Sequence, residues 1–233
     1  MVRLLLLGHG RMGQLVEGLA PQYGFELAGW LDETNNQDAS GLTAGRWTGV
    51  DVAIDFSTAA AVVANVPVLA RLGIATVIGT TGWQAHEAEM RRAAEQAGIG
   101  VVAAPNFSTG VVLFEALVEY AGTLLGPQED VGAWVHELHH VKKVDAPSGT
   151  ALMLKAAVER GGYARPIDMS STRAGFIPGT HTVGFDAPSE TITLTHTARD
   201  RATFARGALQ AARWLHGRTG WFTMRDVLGL GRA

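Results

Sequence analysis

The sequence of 233 residues has no cysteine, no long apolar run and no marked excess of either charge. Without cysteine there is no disulfide framework and no thiolate-ligated zinc or iron–sulfur centre, and a reducing, cytoplasmic location is expected. No stretch reaches the ~20 apolar residues that span a bilayer; Val111 to Leu125 is interrupted by Glu115 and Glu119. Leu4 to Leu7 imitates a secretion signal but stops at Gly8, short of the ~7–15 apolar residues such a signal needs, so the chain reads as mature protein. A net charge of −3 lacks the basic balance of a dedicated nucleic-acid binder. The expectation is a globular protein with neither nucleic acid nor membrane as partner. Its 47% hydrophobic content is enough for the core of one large domain or two small ones.

The first chemical signal is a strand, a glycine turn and a helix. Val2 to Leu7 is mostly apolar and runs into Gly8-His9-Gly10-Arg11-Met12-Gly13, after which Met12, Leu15, Val16 and Leu19 recur at helical spacing. Gly8, Gly10 and Gly13 fit G-x-G-x-x-G, in which missing side chains let the backbone bend and approach a pyrophosphate at a helix start. A second apolar run, Phe25 to Leu31, ends at Asp32, where a carboxylate accepts hydrogen bonds from an adenosine ribose. A bare glycine turn also folds without a ligand, but strand, helix and acid together point to a dinucleotide site. Glu33 beside the acid repels a 2′-phosphate, so NADH is favoured; NADPH stays open because Arg11 or another cation can offset that repulsion.

Alternation of strand and helix continues. Val52 to Phe56, Ala75 to Ile78 and Val101 to Ala104 read as strands, each followed by a helical segment: Ala59 to Leu72, Gln84 to Ala97 and Val111 to Leu125. This predicts an α/β fold with a Rossmann-like parallel sheet covered on both faces. The linker from Asp32 to Gly49 is too polar and glycine-rich for a regular crossover helix. Polar loops end the strands at Asp55-Phe56-Ser57-Thr58, Gly79-Thr80-Thr81-Gly82 and Ala104-Pro105-Asn106-Phe107-Ser108, and three in succession suit a flat cofactor. After residue 126 the character changes to Val, Thr and Ile in Val131 to Val144, Thr180 to Phe185 and Glu190 to Thr197, with a hairpin turn at 186–189, which predicts a second, α+β domain. Thr203 to Leu215 is an amphipathic helix, and a short tail follows Gly217.

The densest chemistry lies between His136 and Thr150. Residues 136–140 spell H-E-x-x-H, which on a helix puts two imidazoles on one zinc with Glu137 as base and Glu159 as a third ligand downstream. Val and Trp content, Gly132 and the nearby Pro147 favour an extended segment instead, so no metal is expected. Ser148-Gly149-Thr150 opens a helix from Ala151 to Arg160, and helix starts bind carboxylates. With His139, His140, Lys142 and Lys143 they form a compact anion-binding cluster in an acidic protein.

Glu137-Leu138-His139-His140 through Lys143-Val144-Asp145-Ala146-Pro147-Ser148-Gly149-Thr150-Ala151 resembles the E-x-H-H-x-x-K-x-D-A-P-S-G-T-A signature of the dihydrodipicolinate reductase family. The resemblance extends over Gly10 to Gly13, Ile54-Asp55-Phe56, Ile78 to Gly82, Asn106 to Val111, His196 to Gly207 and Met224 to Leu228, essentially the whole chain. It implies NAD(P)H-dependent reduction of 4-hydroxy-tetrahydrodipicolinate in lysine and diaminopimelate biosynthesis. It also implies a dinucleotide-binding domain of residues 1–107 with 202–233, and a substrate and oligomerisation domain of residues 108–201 in a homotetramer. His139 is implied as proton donor or acceptor and Lys143 as second acid and cationic partner, with His140, Ser148, Gly149 and Thr150 on the carboxylates of a small dicarboxylate substrate. Cofactor contacts are implied at Gly8, Gly10, Arg11, Met12, Gly13, Asp32, Gly79, Thr80, Thr81, Ala104, Pro105, Asn106 and Phe107. The first glycine loop is one residue shorter than in many members, and Glu33 stands where many carry a base. Little sequence separates Gly162 from Thr180, which implies a trimmed substrate domain. Two other readings stay open, a zinc hydrolase and a nucleotide sensor without turnover.

Overall fold

The computed structural model describes residues 1–231. The chain forms two compact units, one of residues Met1–Thr109 joined by the chain from Ala202 onward, the other Gly110–Arg201.

In the first unit β1 (Val2–Leu7), β2 (Phe25–Leu31), β3 (Val52–Asp55), β4 (Ala75–Ile78), β5 (Gly100–Ala103) and β10 (Gly220–Phe222) form one sheet in the order β10-β5-β4-β3-β1-β2. Every pairing in it is parallel. Leu4 to Leu7 show why: all four are buried, as a strand covered on both faces requires, so an unbroken apolar run replaces alternation. α1 (Arg11–Leu19) packs beside α6 (Ala202–Leu215), which lies against β3, β4 and β5, while α2 (Ala59–Arg71) packs on α3 (Glu87–Ala97) and β4. Two apolar clusters result, one around Leu5, Leu31, Trp47 and Leu69, the other around Val66, Ile78, Trp83 and Met90.

The second unit holds α4 (Thr109–Leu125) over most of its length, α5 (Gly149–Arg160) and a sheet ordered β7-β6-β8-β9. Its strands are β6 (Gly132–His139), β7 (Ile167–Arg173), β8 (Thr180–Ala187) and β9 (Glu190–Thr197). β6 pairs with β7 in parallel, with α5 as the connecting helix, whereas β6 with β8 and β8 with β9 run antiparallel. Burial alternates along β6: Ala133, Val135, Glu137 and His139 face inward, toward a core that contains Leu154, Ala157, Val158 and Phe185.

The structure corrects the sequence reading at three places. The extended run expected over Val131 to Val144 stops at His139, because the chain turns there with Lys143 N–H bonded to His140 O at 3.1 Å. The short stretch between Gly162 and Thr180 is not merely trimmed but contributes β7, whose polar Ser170, Ser171, Thr172 and Arg173 disguise a strand. The tail after Gly217 supplies β10, an edge strand whose partner lies 120 residues earlier at Gly100. Elsewhere the expected elements are present with ends moved by up to three residues, the helix expected from Gln84 starting at Glu87 after a 3-10 turn, and the irregular linker after Asp32 carries only a short 3-10 turn at Gln37–Ala39.

Candidate active site

In the first unit the ends of β1 and β3 open into a cleft of about 400 Å3 lined by Gly8, Gly10, Asp32, Glu33, Asn36 and Ser57 among others. A neighbouring opening of about 300 Å3 shares Ser57 and Thr58 with it and reaches Met12, Gly79, Thr80 and Thr81. The glycine turn is folded too tightly for any side chain: Gly8 sits at φ +87° with a Cβ position 2.5 Å from Phe56 O, and the Cβ position of Gly13 is 2.2 Å from Gly8 O. Gly10, by contrast, faces open space and begins α1 without a capping side chain, so the first-turn N–H groups have no side-chain acceptor. Unsatisfied donors at a helix start next to an open cleft fit a pyrophosphate.

Asp32 closes the same cleft as an ionised carboxylate. Its Oδ1 accepts from Thr34 Oγ1 at 2.6 Å and Thr34 N at 2.9 Å, and these bonds hold its carboxyl below the ordinary range. Beneath the cleft runs a buried polar chain: Gly41 N donates to Asn36 Oδ1, Asn36 Nδ2 to Asn65 Oδ1, and Asn65 Nδ2 to Asp55 Oδ2. Burial pushes the Asp55 carboxyl up, against the hydrogen bonds from Ser57 and Asn65 that favour its charge. His9, inside the glycine turn, stacks on Trp30 at 4.5 Å between ring centres and bonds Glu17 through Nε2 at 2.6 Å. Of the loop after β5, Phe107 is buried edge-on to Phe56, Asn106 Oδ1 accepts from Ser108 N, and Pro105 is exposed.

In the second unit the strand registers assemble a charged cluster. Glu137 is opposite His181 on β8 and Ser171 on β7, and His139 is opposite Arg173. Glu137 is 0% exposed, with Oε2 bonded to His139 Nδ1 and Oε1 receiving Arg173 Nη2 at 2.6 Å and Ser148 N at 3.3 Å. Burial opposes its ionisation, but hydrogen bonds from Arg173, Ser171 and His139 outweigh it and hold the carboxyl at about 2. Burial lowers His139 from its ordinary value; Glu137 works against that, while Lys143 and Arg173 add to it. His181 Nε2 lies 3.1 Å from Ser148 Oγ, which also accepts from Ala151 N. Burial and the neighbouring His139 lower His181 to about 4, so it is neutral near pH 7.

Ser148 caps α5, and Lys143 and the backbone N–H of Gly149 both bond the carboxylate of Asp145, with Lys143 Nζ at 2.7 and 2.9 Å from its oxygens. The structure thus brings His139, Ser148 and the start of α5 together, with Lys143 near enough for its charge to act on His139. His140 sits half-buried in the turn after β6, and Thr150 is half-buried in the first turn of α5. Residues 132–139 are strand, so the helical H-E-x-x-H arrangement does not form: His136 bonds Thr172 at 3.1 Å while His140 lies past the strand end. Donor atoms of Glu137, His139 and His181 do lie within 4.8 Å of one another, but the Arg173 guanidinium on Glu137 fills the place of a cation. Arg173 and His181 escaped the sequence reading. His181 belongs to a strand that alternation identifies, whereas Arg173 lies on the strand that polar composition hides.

The first unit, a parallel sheet with a bare helix start at its glycine turn, is of the Rossmann-like nucleotide-binding class, and the second is a mixed sheet carrying a buried histidine–carboxylate pair. Family models described as the N-terminus and the C-terminus of dihydrodipicolinate reductase match residues 2–107 and 110–228. The 4-hydroxy-tetrahydrodipicolinate reductases of Christiangramia forsetii and Laribacter hongkongensis are 36% and 40% identical, covering 97% and 98% of this chain and 98% of each relative. The solved structure of dipicolinate-bound dihydrodipicolinate reductase from Paenisporosarcina sp. TG-14 shares the fold, with a TM-score of 0.81 over 97% of this chain and 98% of that one at 22% identity. The chain belongs to the dihydrodipicolinate reductase family and performs NAD(P)H-dependent reduction of 4-hydroxy-tetrahydrodipicolinate in lysine and diaminopimelate biosynthesis.

The charge states of the cluster make the fold acid-sensitive. Glu137, held at about 2 against an ordinary 4.5, contributes stability fully above 4.5 and loses it as the pH falls toward 2. His181, at about 4 against 6.5, stays neutral in the folded chain while unfolded chains take up a proton, so stability falls as the pH drops from 6.5 toward 4. The urea midpoint should decline in two stages below pH 6.5, with the upper stage reduced in His181→Asn; a midpoint level between pH 7 and 4 in the parent chain contradicts these states.

Proposed function

We propose that His139 passes a proton to the substrate ring, that Lys143 is the second acid and cationic partner, and that His140, Ser148, Gly149 and Thr150 hold the substrate carboxylates. The observation that carries this reading is the carboxylate already seated at the start of α5: Asp145 takes the Lys143 ammonium and the Gly149 N–H together, which is the chemistry a dicarboxylate needs. Reduction of the ring requires a proton at carbon as well as a hydride, and an imidazole, which can both take up and release a proton, suits that transfer. His139 Nε2–H gives its proton to the ring carbon, the N–H electron pair stays on the imidazole, and water returns the proton. Bound substrate carboxylates raise the histidine's affinity for that proton, coupling its charging to substrate arrival. Lys143 stabilises negative charge on the substrate throughout.

Bound NAD(P)H supplies the hydride. Residues fit to hold it are Gly8, Gly10, Arg11, Met12 and Gly13 at the pyrophosphate, Asp32 at the ribose, and Gly79, Thr80, Thr81 and Ala104 to Phe107 along the remaining strand ends. NADH is favoured. Asp32 and Glu33 both line the cleft, and no Lys or Arg does among the described residues, so a 2′-phosphate meets two carboxylates and no cation there. NADPH remains usable at lower affinity.

A homotetramer built through the second unit is supported by its surface. α4 exposes Leu113, Leu117, Tyr120 and Leu124 along one side, and one face of β8 and β9 is a ladder of paired threonines, Thr180 with Thr197 and Thr182 with Thr195. No described helix is long and apolar enough to cross a membrane, and the absence of cysteine supports a cytoplasmic enzyme.

Absorbance of NADH in the presence of substrate generated by its synthase tests the reading directly, with NADPH as the parallel arm. Substrate-dependent oxidation is expected, faster with NADH; binding of NADH without turnover leaves the sensor reading instead. His139→Gln should lower kcat by roughly 10²–10⁴-fold with NADH binding intact, and near-parental turnover removes His139 from the mechanism. Glu33→Arg should raise the NADPH-to-NADH ratio of kcat/KM by about tenfold or more, since like-charge juxtaposition costs over ~1 kcal/mol; an unchanged ratio shows that Glu33 does not face the ribose. Sedimentation should give four chains per particle, and a monomer defeats the oligomer assignment.

A further inference from the structure

The proton-transfer role of His139 leaves one buried group unexplained. Glu137 has no exposed surface and yet keeps its charge. We infer that Glu137 is the positioning residue of the reductase, holding His139 with its proton on Nδ1 so that Nε2 is the atom that takes and gives protons at the substrate. The inference rests on the proposed role of His139 and goes beyond it.

An ionised carboxylate only accepts hydrogen bonds, so His139 Nδ1, bonded to Glu137 Oε2, must be the donor. Neutral His139 then has a bare Nε2. That nitrogen points past Gly179, whose φ of +147° and Cβ position 3.1 Å from Nε2 keep the space beside it free of a side chain. Glu137 remains ionised in the interior because Arg173, Ser148 N–H and Ser171 take its other lone pairs. Strand geometry fixes the pair: residues 137 and 139 lie two apart on β6 and share its inward face, and Arg173 stands opposite His139 in the parallel register. The charged and titratable groups around His139 are Glu137 on its own strand, Arg173 on β7, His181 on β8, and Lys143 in the turn that follows. Three of these disfavour a charged imidazole or are neutral, and Glu137 alone favours it. Removing that carboxylate therefore lowers the pH at which His139 is protonated.

The test uses the full chain labelled with 15N-histidine, recorded above pH 7, with the His139 signals assigned by their loss in His139→Gln. The expected spectrum has the proton on Nδ1 and a bare Nε2; a proton on Nε2 overturns the inference without recourse to any variant of Glu137. In Glu137→Gln, kcat should fall roughly 10–100-fold, the usual effect of removing a residue that orients a functional histidine. NADH binding should be unchanged, and the acidic limb of the kcat profile should move to lower pH. A purely structural role leaves the pH profile of the surviving activity unmoved, and that result overturns the inference. If Glu137→Gln does not fold, the labelled parent chain decides alone. The two readings fail separately: parental turnover in His139→Gln removes the catalytic assignment while the tautomer stands, whereas a misplaced proton removes Glu137 while the loss in His139→Gln stands.

Discussion

A buried carboxylate organises the second unit. Glu137 is fully enclosed and ionised, and an uncompensated charge in that position costs several kcal/mol, far more than the unit can spare. Its partners must therefore arrive together. Arg173 comes from β7, the Ser148 N–H from the start of α5, and His139 from two residues along β6. Satisfying one group thus aligns a strand edge, a helix start and an imidazole, and the start of α5 is carried to the histidine by the same contacts.

The cleft of the first unit is shaped by backbone rather than by ion pairs. The glycine turn brings Gly8 and Gly13 into contact distances that exclude a Cβ, and the uncapped start of α1 leaves its N–H groups available. The buried amide chain from Gly41 through Asn36 and Asn65 to Asp55 fixes the loop after Asp32 to the end of β3. Asp32 is held in place by neutral hydrogen bonds from Thr34 rather than by a cation, and it lines the cleft together with Glu33.

Much of this was legible in the residues. The run Leu4 to Leu7, the glycines at 8, 10 and 13 and the acid at 32 announce a parallel nucleotide-type sheet because each follows from a local rule of burial or backbone freedom. The signature from Glu137 to Ala151 announces the chemistry by its length. β7 and β10 were not legible. β7 is polar and β10 is three residues long, and each exists because a strand distant in sequence offers it a ladder.

The sequence by itself determined the period of each strong element, the positions where only glycine fits and the supply of histidine, lysine and hydroxyl groups around residue 140, since these depend on neighbours a few residues away. Tertiary structure alone decided which of two adjacent histidines pairs with Glu137, that Arg173 neutralises it, and that His181 stands beside them uncharged. Those facts depend on strand register across β7, β6 and β8. Register is set by the packing of whole faces, so no local stretch of residues contains it.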